Sequence, residues 1–236
     1  MLNKLYETWG VTNKHDLPEF TGYEDVLADL KLFTKEQYDK DPEKVTDEIF
    51  NIYRSINIVP ITYFSQRGIE NKIRELQLST PNQVKDYTLG LGNNKGQDLI
   101  RFMFPNMMTA EPKGRGSNSL KDRFYDDKKL KRAIKICFVH REGDNPVRPS
   151  LIRTALELVT GENIQNFKAF NARSIVEELC PMFNGRIYDY SAGYGGRMLG
   201  TCTSRMHYQY HCVEPNTQTV EYLTYLSSFL RSEIKI

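Results

Sequence analysis

The sequence predicts an α/β protein, a helical N-terminal region followed by the opening strands of a parallel sheet. Three observations carry that expectation. Apolar residues recur at helical spacing through most of the chain before Arg186. From Arg186 onward the period shortens into two runs, RIYDY and YQYHC, separated by a glycine-rich turn. The order strand, turn, helix, strand, helix is that of a βαβ unit.

The bounds on function are broad. A chain of 236 residues is long enough to bury a substantial core. Lys and Arg number 32 against 30 Asp and Glu, so whole-chain charge argues neither for nor against a nucleic-acid partner. Cys137, Cys180, Cys202 and Cys212 form no CxxC pair and sit among apolar or aromatic neighbours. Reduced thiols are expected rather than disulfides or a zinc site. The N-terminal MLNKLYETWGVTNKHDL lacks a continuous apolar run, and no stretch matches a membrane span, so a cytoplasmic location without membrane contact is expected.

Within residues 1–110, YEDVLADLKLF (23–33) aligns Val26, Leu27, Leu30 and Phe33 on one helical stripe. The next helix follows from DPEKVTDEIFNIYRSINIV (41–59), where Asp41 caps, Pro42 takes the first position, and Val45, Ile49, Ile52, Tyr53 and Ile56 repeat. IVPITYFS (58–65) predicts an extended segment or short strand, and RGIENKIRELQL (67–78) another helix. Residues 111–165 form a second region of basic loop and helices. The stretch PNMMTAEPKGRGSNSLKDR (105–123) has loop composition, and YDDKKLKRAIKICFVHRE after it predicts a helix. A further helix is expected from Leu151, Ile152, Ala155, Leu156 and Val159, stopped at Gly161, and one over about 171–180, stopped by Pro181.

The strongest local charge lies between Lys113 and Lys135, with nine basic residues against three acids. Lys113, Arg115, Lys121, Arg123, Lys128, Lys129, Lys131 and Arg132 are the candidates for contact with a phosphate backbone. The competing reading is a solvated helix face, with Leu130, Ala133, Ile134 and Cys137 turned inward.

Residues 166–236 carry the candidate chemistry. In GRIYDYSAGYGGRMLGTCTS a strand runs to Tyr190, glycines follow at 193, 195 and 196, and a helix starts near Arg197. Small residues at such a turn let a ligand approach the backbone, and helix N–H groups favour electron-rich atoms. About 25 residues after Asp189, YQYHCVEPN supplies a second strand ending at Glu214, an acid placed to accept hydrogen bonds from two ribose hydroxyls. The helix NTQTVEYLTYLSSFLRSE (216–233) then places Val220, Leu223, Leu226 and Leu230 over the sheet, and the final IKI begins a third strand. A dinucleotide fingerprint needs glycine where Met198 stands. An acid four residues before the first glycine instead suits the positively charged methionine end of an adenosyl cofactor. Tyr63, Phe64, Tyr190 and Tyr194 are candidates for stacking on bases, Tyr194 being the one expected in the pocket. His207 and His211 would form a metal pair only on a helix, and the alternation there predicts a strand.

The run IYDYSAGYGGRMLG followed by YQYHCVEPN resembles the first two segments of class I S-adenosylmethionine-dependent methyltransferases. More narrowly it resembles the adenine-N6 or cytosine-N4 DNA methyltransferases encoded by bacteriophages. NFKAFNARSIVEEL (166–179) and HREGDNPVRPSLIRTALELVTG (140–161) are similar to the segments that precede that motif, so the resemblance covers about residues 140–230. It implies a Rossmann-like sheet, S-adenosylmethionine as cofactor, DNA as partner and a phage or bacterial cytoplasm. Asp189, Gly193 and Gly195 would line the cofactor cleft, with Ser191, Ala192, Tyr194 and Pro215 in the same loops. Glu214 would hold the ribose, and Phe167 to Asn171 would flank the methionine end.

That family also uses an Asp/Asn/Ser-Pro-Pro-aromatic loop that holds the target amine beside the cofactor, and this sequence has no Pro-Pro pair. The expectation is therefore the cofactor-binding half of such an enzyme, with a sheet incomplete at its C-terminus and no catalytic residue assigned. A second chain or a further segment would complete it. The alternatives are a non-catalytic DNA-binding or protein-interaction module that keeps the fold, or another α/β nucleotide binder.

Overall fold

The computed structural model describes residues 1–9, 29–80, 84–85, 88–89, 94–111, 118–140, 146–160, 164–230 and 234–236. They form a mixed α/β chain, mostly helical, with a small three-stranded parallel sheet. Contacts gather them into two compact units. One comprises Leu2–Tyr63 and Met107–Ile164; the other comprises Phe64–Asn106 and Gln165–Ile236, with Met1. Residues 64–106, expected to belong with the N-terminal region, thus fold with the segment that carries the sheet.

The first unit is helical. It contains α1 (Leu2–Thr8), α2 (Lys35–Lys40) and α3 (Pro42–Ile56). Asp41 caps α3 through the N–H of Lys44, with Pro42 at the first helical position. The predicted 23–33 helix falls mostly on Val26, Leu27 and other residues outside the described ones; Leu30 is buried. After the short α6 (Pro105–Thr109), a helix too brief to show a period, come α7 (Leu120–Tyr125), α8 (Asp127–His140) and α9 (Pro149–Thr160). The reading of 105–123 as continuous loop is therefore corrected. Ser119 and Asp122 close a reciprocal capping box that starts α7 inside a Gly- and Ser-rich stretch. Leu130, Ala133, Ile134 and Cys137 of α8 are buried, as their spacing requires. The Tyr53 hydroxyl donates to the Val147 carbonyl at 2.7 Å, and Tyr38 stacks on Phe138 at 4.3 Å.

The second unit holds α4 (Gln66–Leu78), the antiparallel pair β1 (Val84–Lys85) and β2 (Thr88–Leu89), and α5 (Gln97–Met103). Residues 58–65 form no strand. The unit continues with α10 (Ala169–Leu179), β3 (Arg186–Asp189), α11 (Gly196–Cys202), β4 (Gln209–Cys212), α12 (Thr217–Ser227) and β5 (Ile234–Lys235). The strands run in the order β3-β4-β5, both pairs parallel, with Asp189 beside Cys212 and Tyr210 beside Ile234. Helical crossovers between consecutive parallel neighbours are what a βαβ unit requires. Leu199, Leu223 and Leu226 are fully buried under the helices, together with Phe102 and Phe104.

Packing of α10 against α11 depends on two glycines. A Cβ on Gly196 would lie 1.9 Å from the Phe167 carbonyl oxygen, and one on Gly200 would lie 2.0 Å from that of Ala169. Four residues apart on one helical face, they let the start of α10 approach α11 at backbone contact. Among the described residues no helix is long and apolar enough to cross a membrane. All four cysteines are free, three of them buried.

Candidate functional site

The candidate site lies within the second unit, at the C-terminal tips of β3 and β4. β3 ends at Asp189, and the chain turns through Gly193 (φ 56°) and Gly195 (φ 71°) before α11 begins. Left-handed backbone of this kind favours glycine. The Gly193 position has open space around it, since a Cβ there would meet nothing nearer than the Ser191 carbonyl oxygen at 4.0 Å. The other glycines are different. A Cβ on Gly195 would strike the Phe104 ring at 2.6 Å, and one on Gly196 would strike the Phe167 carbonyl oxygen just before α10. Of the cluster expected to admit a ligand, only Gly193 has room for one; Gly195 and Gly196 serve internal packing.

Both acids are held in place by hydrogen bonds. The Asp189 carboxylate accepts from Ser191 N–H (3.1 Å), from Arg197 Nε (2.8 Å) and from the Tyr210 hydroxyl. Burial acts to raise the Asp189 pKa, but the bonds from Tyr210, Arg197 and Ser191 outweigh it and hold the carboxyl below its ordinary value. The same bond, added to burial, pushes the Tyr210 hydroxyl well above the usual tyrosine range. Glu214 accepts from Gly193 N–H at 2.8 Å and from Asn216 N–H at 3.0 Å, so the tip of the second strand is tied to the glycine turn after the first. Burial, then the charges of Asp189 and Glu214, raise the Cys212 thiol to about 11. It is therefore a protonated thiol at neutral pH and no nucleophile.

A cavity of about 490 Å³ opens beside Asp189, lined by Phe167, Ile175, Asp189, Ser191, Arg197 and Tyr210 among others. Arg197 also lies over the Phe167 ring, 5.8 Å from its centroid. The structure thus brings together Phe167, Asp189 and Ser191 at the cavity, and Gly193 and Glu214 at the adjoining turn. The remaining candidates stand elsewhere. Ala192 is buried and donates its N–H to the Val213 carbonyl. Tyr194 is not at the cavity; it is half-buried, edge-on to Phe104, with its carbonyl accepting from Asn166. Pro215 is exposed, and Asn171 has a buried Oδ1 with no partner among the described residues. Sequence reasoning missed Arg197 and Tyr210. An Arg eight residues after the acid was visible, but the tyrosine reaches Asp189 only because the strands pair in this register.

The basic segment is less available than its composition suggested. Arg123 is 1% exposed, and its guanidinium donates to the carbonyls of Asn118 and Leu156. Lys129 pairs with Asp126 and Lys131 with Asp47. Lys121, Lys128 and Arg132 remain at the surface or half-buried, whereas Lys113 and Arg115 lie outside the described residues. His211 is on β4, as the alternation predicts, and His207 precedes that strand with φ 53°. Compared with known protein families, curated proteins and solved structures, the chain matches none of them.

Proposed function

We propose that the β3–α11–β4 tip binds the adenosyl part of S-adenosylmethionine, and that the second unit is the cofactor-binding half of a Rossmann-like methyltransferase of the DNA amino-methylating type. The observation that carries this reading is the convergence of three groups: Asp189 at a cavity, Gly193 with open space, and Glu214 drawn from the second strand to the same turn. The cavity volume falls within the roughly 300–1,000 Å³ usual for small-molecule sites.

The residues fit the group. A carboxylate offers about four acceptor positions. Glu214 uses one on each oxygen for Gly193 and Asn216, which leaves one on each for a pair of ribose hydroxyls. Asp189 has a single bond on Oδ1, from Ser191, and so retains capacity toward a cationic amino-acid end. Phe167 supplies an apolar wall. S-adenosylmethionine, when bound, supplies an electrophilic methyl group on a sulfonium. This chain's residues bind and orient it, and among the described residues of the basic segment Lys121, Lys128 and Arg132 are the side chains available to meet a DNA backbone.

Calorimetric titration with S-adenosylhomocysteine tests the reading. One molecule should bind per chain, and Asp189→Asn and Glu214→Gln should each weaken binding at least tenfold, about 1.4 kcal/mol. Thermal melts of each variant separate lost contacts from lost folding. Absence of binding, or binding unchanged in both variants, would leave the alternative of a non-catalytic DNA-binding or interaction module. That module predicts salt-dependent DNA association insensitive to the cofactor.

A further inference from the structure

Among the described residues, helices pack on one face of the parallel sheet, and the β3 part of the other face is exposed. Ile187, Asp189, Tyr210 and Cys212 share a face, and α10 and α11 supply Ala172, Val176, Arg197 and Thr201 to the cavity on that side. The opposite face carries the exposed Arg186, Tyr188 and Val213, with Tyr190 just past the strand, and His211, whose Nε2 is buried. Tyr188 is 69% exposed, Tyr190 81% and Val213 49%. Parallel sheets are normally covered on both faces, so the exposed aromatic strip along β3 is a departure that calls for an occupant.

The outer edge of β3 carries no strand among the described residues, where β3 pairs only with β4. Gln209 N–H donates to the Gly185 carbonyl and Val213 N–H to that of Asp189, so the odd-numbered peptide groups face β4. By the alternation of the ladder, those of Arg186 and Tyr188 face outward.

We propose that two copies of this chain pair through β3, edge to edge across a two-fold axis centred on Tyr188. A two-fold axis makes the two β3 strands antiparallel. The chemistry of the strand is self-complementary in that arrangement. Tyr188 meets its own counterpart, and Arg186 of each copy faces Tyr190 of the other, giving one aromatic pair and two cation–π pairs on the exposed strip. No acid lies at 186, 188 or 190, and the two Arg186 side chains stand at opposite ends of the pairing rather than against each other. On the covered face Ile187 stands opposite Asp189, whose Oδ2 is taken by Arg197 and Tyr210. Tyr188 and Tyr190 also border the cavity, so a second copy paired on β3 lies beside it. The pairing is independent of which ligand that cavity takes.

Sedimentation equilibrium of the full chain across a concentration series tests this. The expected mass rises with concentration from 27.5 kDa to twice that value. Tyr188→Pro should abolish the rise with an unchanged far-ultraviolet circular dichroism spectrum, since proline is tolerated where an edge-strand N–H faces outward. Tyr190→Arg sets two cations against each other and should weaken association at least tenfold; adding Arg186→Tyr swaps the pair and should restore it. These two exposed substitutions decide the matter even if the proline variant does not fold. A mass of 27.5 kDa at every concentration overturns the proposal. So does a dimer unaffected by Tyr190→Arg, or a face that gains mass only with a single-stranded oligonucleotide or another polypeptide.

Discussion

Replacing Gly200 with alanine should cost the sheet-bearing unit about 3 kcal/mol or more, among the larger losses a single methyl group can cause. The added Cβ would lie 2.0 Å from the Ala169 carbonyl oxygen and 2.7 Å from the Ala172 Cβ. Both belong to α10, and a backbone oxygen at a helix start cannot swing aside as the end of a flexible side chain can. Gly196→Ala should behave alike, against Phe167. Gly193→Ala is the contrast: its Cβ meets open space, and the cost reduces to about 1–2 kcal/mol for a left-handed φ. Guanidinium unfolding followed by far-ultraviolet circular dichroism measures all three. Trp9, the sole tryptophan, belongs to the other unit, so its fluorescence is the wrong probe. A Gly200→Ala protein within 1 kcal/mol of the parent would show that α10 and α11 do not pack at backbone contact.

Arg173→Ala should cost about 3–5 kcal/mol, the usual effect of breaking a buried ion pair from one side. Arg173 is fully buried on α10. Its Nε donates to Glu177 at 2.8 Å, and its Nη1 donates to the carbonyl of Leu76, the third-last residue of α4. Truncation leaves the Leu76 carbonyl without its charged donor and removes the buried partner of Glu177, which is itself only partly exposed. Glu177→Gln should lose far less, about 1 kcal/mol, because the amide oxygen still accepts from Arg173 and from Arg205 N–H. Denaturant titration of the two variants gives the comparison; equal losses would mean that the ion pair within α10, and not the Leu76 bond to α4, carries the contribution of Arg173.

Local rules carried the sequence reading a long way. The helices at 42–56, 66–78, 127–140 and 149–160 were legible from apolar period and from caps such as Asp41-Pro42. The strands at 186–189 and 209–212 and the turn between them were legible from the change of period at Arg186, and the start of a third strand from the closing IKI. What failed was non-local. Nothing in residues 64–106 announces that Arg173 will reach back to Leu76, or that Phe104 will occupy the space beside Gly195. The glycines of SAGYGG therefore read alike in sequence although only Gly193 faces open space. The Ser119–Asp122 capping box was present in the sequence, but its loop-like surroundings concealed it. Lys131 looked free because its partner is non-local: Asp47 lies 84 positions from it in sequence and 2.7 Å from it in space.

The amide resonance of Gly193 offers the most direct test of the central claim, because its N–H is held by Glu214 and its surroundings are open. In a ¹⁵N-labelled chain titrated with S-adenosylhomocysteine, the Gly193 signal should shift saturably, together with those of Ser191 and Val213, and Glu214→Gln should weaken that response at least tenfold. A Gly193 signal that stays in place while ligand is raised to millimolar concentration would contradict the claim that this turn binds an adenosyl cofactor.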